Sequence, residues 1–90
     1  MYQVTLSEQA QKDYAYFVNV GNVKAVNKIV ALLKELEEHP YTGTGKPEPL
    51  KYNLTGYWSR RINSEHRLVY KVNERVVEVL VLAMRYHYHQ

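Results

Sequence analysis

Ninety residues, 46% of them hydrophobic, can close one core, although a chain of this size buries only about 60% of its unfolded surface. The absence of cysteine excludes disulfides, thiolate metal sites and a thiol nucleophile. No apolar run approaches the roughly 20 residues that span a bilayer, and Met1-Tyr2-Gln3-Val4 has none of the regions of a signal peptide, so one soluble, cytoplasmic domain over residues 1–90 is expected. The net charge of +3 is unevenly spread: residues 1–45 sum to −1, 46–75 to +4 and 76–90 to 0. Lys46, Lys51, Arg60, Arg61, Arg67, Lys71 and Arg75 carry the excess, a distribution that suits contact with a polyanion and equally a solvated basic sheet face.

Tyr2 to Leu6 alternates and reads as a short strand ending at Ser7, a good N-cap. Ala10, Tyr14, Phe17 and Val18 recur at helical spacing, and Asn19 to Asn22 with Gly21 supplies the break. Val26, Ile29, Val30, Leu33 and Leu36 trace the apolar stripe of a second helix, opposed by Lys24, Lys28, Lys34, Glu35 and Glu38 and stopped by Pro40. Residues 41–49, with two glycines and two prolines, read as a loop. Period two then sets in. Tyr57 to Ile62 and His66 to Val72 form a hairpin around Asn63-Ser64-Glu65, and the valine-rich run Val76 to Met84 suits a central strand covered on both faces. Strand, helix, helix and at least three strands predict an α+β fold with the helices on one face of a mostly antiparallel sheet.

Alternation then sorts the charges. Leu68, Tyr70 and Val72 face the helices while Arg67, Val69 and Lys71 face away; Ser59 and Arg61 join Arg67 on the open side, and Arg60 points to the covered side, at a rim. Glu48, between Pro47 and Pro49, is presented with little backbone freedom, although the same residues fit an ordinary loop acid. In Arg85-Tyr86-His87-Tyr88, alternation puts Arg85 and His87 on one face and Tyr86 and Tyr88 on the other. His87 can give or take a proton near neutral pH, and the tyrosines can stack on bases; a tail that merely packs on a sheet edge would have the same composition. RNA cleavage without a metal needs a base, an acid and a cation at the phosphate, and Glu48, His87 and Arg67 supply them. His87 and His89 share a face if extended, but no carboxylate at matching spacing completes a metal set, so no metal or cofactor is expected.

Four motifs carry a resemblance: Gly45-Lys-Pro-Glu-Pro-Leu-Lys51, Asn53-Leu-Thr-Gly-Tyr-Trp-Ser-Arg-Arg-Ile62, Glu65-His-Arg-Leu-Val-Tyr70 and Arg85-Tyr-His-Tyr88. In order and spacing they resemble the Txe/YoeB branch of the RelE/ParE toxin superfamily, from the first strand to Tyr88 and less closely across the helices. The resemblance implies a microbial-ribonuclease-like α+β fold and a toxin of a type II toxin–antitoxin pair, an endoribonuclease that cuts mRNA in the ribosomal A site and halts translation. It implies Glu48, Arg67, His87 and Tyr88 as catalytic, with Arg61 as a further arginine of the site and Lys51 as an auxiliary RNA contact; Lys71 and Arg85 are added as candidate substrate contacts. It also implies a YefM-type antitoxin with an acidic segment, operator DNA bound through the antitoxin complex, and a possible homodimer. Members of the branch end at the tyrosine matching Tyr88, whereas His89 and Gln90 follow here. Two other functions suit the fold or the charge: a ParE-like toxin of DNA gyrase, which leaves the Glu48, Arg67 and His87 set unused, and a non-catalytic RNA-binding module, for which Glu48 would be dispensable.

Overall fold

A computed structural model of the chain describes residues 1–86. The elements are β1 (Gln3–Leu6), α1 (Glu8–Asn19), α2 (Val23–Leu36), β2 (Glu48–Pro49), a 3₁₀ turn (Tyr52–Leu54), β3 (Trp58–Arg61), β4 (Arg67–Asn73) and β5 (Glu78–Tyr86). Both helices begin as their sequences dictate. The Ser7 hydroxyl accepts the Ala10 N–H at 3.0 Å and the Asn22 side-chain oxygen accepts the Ala25 N–H at 3.1 Å, each satisfying one of the orphan donors of a first turn. No helix among the described residues is long and apolar enough to cross a membrane.

The five strands form one sheet in the order β1-β5-β4-β3-β2, with β1 parallel to β5 and the other pairs antiparallel. This is the α+β, mostly antiparallel arrangement the sequence predicts. Two strand expectations need correction. Glu48 does not lie in a loop: Glu48 and Pro49 pair with Ser59 and Trp58 as an edge strand, which Pro49 tolerates because an edge N–H has no partner to lose. β5 is interior but not central, and its outer face at Leu80, Leu82 and Ala83 is only half-covered.

The core lies between the sheet and the helices: Ala10 and Phe17 from α1, Ala25, Ile29, Leu32 and Leu36 from α2, and Ile62, Leu68, Tyr70, Val79, Val81 and Met84 beneath them. Burying each larger aliphatic side chain contributes about 1.5–3 kcal/mol. The expected stripes are turned slightly. Val18 and Val30 remain exposed while Ala25 and Leu32 are buried.

β5 does not run regularly against β4. Tyr70 pairs with Val81, Val69 with Ala83 and Arg67 with Tyr86, so β5 carries an extra residue at each of two bulges. Because side chains alternate with period two, each extra residue resets which face the next one takes. Leu82 and Ala83 consequently both lie on the face away from the helices. Met84 then returns to the core, and Arg85 sets its guanidinium 3.4 Å from the centre of the Tyr16 ring on α1. The backbone groups displaced from the ladder find partners on and beside α1. Asp13, itself buried, accepts the N–H of Met84 at 2.8 Å and of Arg85 at 3.3 Å, and the Ser7 hydroxyl donates to the Leu82 carbonyl at 2.8 Å.

Candidate active site

Residues directly opposite one another in antiparallel strands share a face, so the register of β2, β3, β4 and β5 maps the open side of the sheet. One row across it is Glu48, Ser59, Val69 and Ala83; the next is Arg61, Arg67 and Tyr86. Glu48 lies diagonal to Arg61, about 7–8 Å away between Cα atoms. Its side chain is exposed, and its carboxylate makes no hydrogen bond or ion pair with another described residue. Arg61 and Arg67 face each other directly, which costs energy for like charges, and neither is hydrogen-bonded or ion-paired to a described side chain. Two arginines opposite one another, with no acid paired to either among the described residues, carry forked donors of the kind that match a phosphate.

Lys71 lies on the same face, its ammonium 5.9 Å from the centre of the Tyr57 ring. Lys51 is exposed just before the 3₁₀ turn that follows Glu48. Arg85 does not join this group; its contact is with Tyr16 on the helix side. His87 and Tyr88 lie outside the described residues. Among the described residues no three His, Cys, Asp or Glu side chains converge as a metal site. The sheet thus brings together Glu48, Arg61, Arg67 and Lys71, with Lys51 on the adjoining segment.

Arg60 is the residue whose place the sequence reading misjudged. It is not at a rim but fully buried, opposite Leu68. Its guanidinium donates to Glu35 at 2.7 Å, to the carbonyls of Thr42 at 2.8 Å and Thr44 at 3.5 Å, to the His39 carbonyl, and through Nε to the Tyr70 hydroxyl at 3.2 Å. Tyr70 donates onward to the Pro40 carbonyl at 2.6 Å. Burial pushes the Glu35 carboxyl up, but hydrogen bonds from the Thr44 hydroxyl and N–H and from Arg60 outweigh it and hold the group below its ordinary range. Burial raises the Tyr70 hydroxyl, against the lowering effect of Arg60.

This knot fixes the chain that leads to Glu48. The carbonyl of Gly45 accepts the Arg61 N–H at 2.7 Å, and the Leu50 N–H reaches the Tyr57 carbonyl at 2.9 Å, so segment 45–50 is tied to β3 on both sides of the acid. Gly43 has φ +123° and a Cβ there would lie 1.8 Å from the Glu35 carboxylate, so only glycine fits the approach. Sequence reasoning passed over Tyr57, which stands beside Lys71 and which extending the alternation from Ser59 back would have found; Tyr86, singled out only as a tyrosine that can stack on bases, is paired with Arg67 through the bulges.

The fold and the face define a class: a small α+β domain whose open sheet face carries arginines and lysines beside an edge-strand acid. A family model described as a YoeB-like toxin of bacterial type II toxin–antitoxin systems matches residues 6–88. The YoeB toxin of Escherichia coli K12 is 49% identical over 82 residues, 91% of this chain and 94% of that one. Two Staphylococcus aureus structures superpose closely: a YoeB dimer, 48% identical with a TM-score of 0.83 over 97% of this chain and 98% of the other, and a YoeB–YefM complex, 48% identical with a TM-score of 0.80 over 98% and 99%. The chain belongs to the YoeB-like toxin family.

Proposed function

We infer that this toxin is a ribosome-dependent endoribonuclease that cuts mRNA in the A site by metal-independent acid–base catalysis and so blocks translation. The observation that carries the reading is the open face itself: a carboxylate on the strand edge, diagonal to Arg61, which in turn faces Arg67, with no hydrogen bond or ion pair to any of the three side chains among the described residues. That set supplies a base and the cations for a phosphate, and His87 is the acid that completes it. Glu48 takes the proton of a ribose 2′-hydroxyl as its oxygen attacks the adjacent phosphorus. The bond from phosphorus to the 5′-oxygen breaks, His87 protonates the leaving oxygen with the help of Tyr88, and a cyclic phosphate and a 5′-hydroxyl result. Arg67, with Arg61, offsets the extra charge of the pentacoordinate phosphate. Lys51 and Lys71 hold the neighbouring backbone. DNA, lacking the 2′-hydroxyl, is not cut.

The ribosome supplies substrate geometry, so activity on free RNA is weak. A YefM-like antitoxin, as in the S. aureus YoeB–YefM complex, neutralises the basic face through an acidic segment; operator DNA is bound through that complex, and a homodimer, as in the S. aureus YoeB dimer, is the expected form. The site of action is the cytoplasm, where ribosomes and mRNA meet.

Primer extension on mRNA from a translating extract tests this. Wild-type protein should give discrete cuts in ribosome-bound message. Glu48→Gln, Arg67→Ala and His87→Ala should each slow cutting by about 10²–10⁴-fold while leaving the thermal unfolding transition in place. Cutting at the wild-type rate by both Glu48→Gln and His87→Ala would sink the assignment, and DNA damage dependent on gyrase with mRNA intact would favour a different target.

A further inference from the structure

Beside the arginine pair, on the same face, lies an open hollow of 250 Å³ lined by Leu54, Tyr57, Val69, Leu82, Ala83 and Tyr86. Apart from the two tyrosine hydroxyls its lining side chains are apolar, although the same face carries Arg61, Arg67 and Lys71. We propose that the hollow is a stacking subsite for one unpaired RNA base, the base next to the phosphate held by Arg61 and Arg67; the proposal rests on the ribonuclease reading above.

Four observations converge on this occupant. The first is construction. A regular strand would turn only one of Leu82 and Ala83 outward; the bulge turns out both, and Ser7 and Asp13 hold the displaced backbone in place, so the hollow is a fixed feature of the fold. The second is size, since 250 Å³ falls just under the roughly 300–1,000 Å³ of sites that take whole drug-sized ligands and suits a single ring system. Position is the third. Val69 on the hollow's floor is two residues along β4 from Arg67, about 7 Å, so a base on the floor and its phosphate at the arginine can belong to one nucleotide. The fourth is charge: Tyr86 pairs across the strands with Arg67, and Tyr57 has the Lys71 ammonium over its ring. An apolar peptide side chain would gain from the floor but not from cations at both aromatic walls; a base carried on a phosphate backbone gains from both.

Methyl-resolved NMR of the full-length protein, titrated with adenosine 5′-monophosphate, ribose 5-phosphate and inorganic phosphate, is the direct test. The mononucleotide should move the methyl signals of Leu54, Val69, Leu82 and Ala83 and bind about ten-fold more tightly than ribose 5-phosphate, which should perturb only the surroundings of Arg61 and Arg67. Equal affinity and equal methyl shifts for the two would overturn the proposal. A second arm uses ribosome-bound mRNA with an abasic nucleotide beside the cut. Wild-type protein should cleave it about ten-fold or more slowly than the intact message, and Ala83→Met, which fills the hollow, should cut intact and abasic messages at the same reduced rate. Rapid, equal cleavage of both messages by wild type would end the subsite while leaving the ribonuclease reading intact; no cleavage of either would end that reading, and the mononucleotide titration would still decide the subsite.

Discussion

Val77, in the turn between β4 and β5, holds φ +53°, a left-handed conformation that a β-branched side chain adopts at a cost of about 1–2 kcal/mol. The position is 43% exposed, and its carbonyl accepts the Gln3 N–H at 3.0 Å, so the backbone is needed and the side chain is not. Asparagine tolerates this conformation without the extra chain entropy that glycine brings to the unfolded state. Val77→Asn should therefore stabilise the protein by about 1 kcal/mol and raise the melting temperature by about 4–8 °C in a calorimetric scan. Single residues were unequally legible in the sequence. Ser7 announces itself as a cap because the signal is local, and Glu48 between two prolines is conspicuous for the same reason; Asn22, read only as part of the break between the helices, caps the second. Arg60 was misjudged because what satisfies it is a set of loop carbonyls, and a carbonyl carries no side-chain signature.

Elements were easier to locate than to orient. Both helices and the β3–β4 hairpin fall within a residue or two of their expected spans, since amphipathic period and turn residues are properties of the segment itself. The apolar arc of α2, from Ala25 and Val26 through Leu32 and Leu33 to Leu36, is wider than the contact it makes, so periodicity could not choose which edge is buried. The bulges of β5 were illegible because they depend on Asp13, 71 residues from Met84 in sequence. That dependence gives a test at this scale. Asp13→Ala would leave the Met84 and Arg85 N–H groups without their acceptor, at a cost of about 2–4 kcal/mol. Urea denaturation should show that loss, and the Met84 amide should exchange with solvent much faster than the neighbouring β5 amides; Asp13→Asn, which keeps an oxygen acceptor, should recover part of both. Protection at Met84 that survives Asp13→Ala would mean the bulge is held by the strand itself.

Across the whole molecule, the Arg60 knot joins α2, segment 39–44, β3 and β4, and through the Gly45 contact with Arg61 it reaches the strand that carries Glu48. The charge partition of the sequence foreshadowed a basic second half but not that one of its cations is internal and bound to the acidic first half through Glu35. The link is sensitive to pH, with a definite sign. Glu35 is held below its ordinary carboxylate range, so its contribution to stability is fully present above the unfolded value of 4.5 and is lost as pH falls through the lower folded value. Protonation would leave the Arg60 charge buried without its counter-ion, the arrangement in which a lost partner is most damaging. Glu74, lowered by hydrogen bonds from Tyr41 and Tyr2, acts in the same direction, so Glu74→Gln serves as the reference background. In that background, Glu35→Gln should lower the urea midpoint at pH 7 and flatten its fall between pH 5 and 3, the two curves converging at the acid end. Amide exchange at Arg61 and Leu50, whose N–H groups tie segment 45–50 to β3, should accelerate with Glu35→Gln at neutral pH, and with acid in the parent protein. If the two urea curves instead ran parallel down to pH 3, Glu35 would not be the titrating link, and the anchoring of the Glu48 strand would rest on the neutral contacts of Arg60 alone.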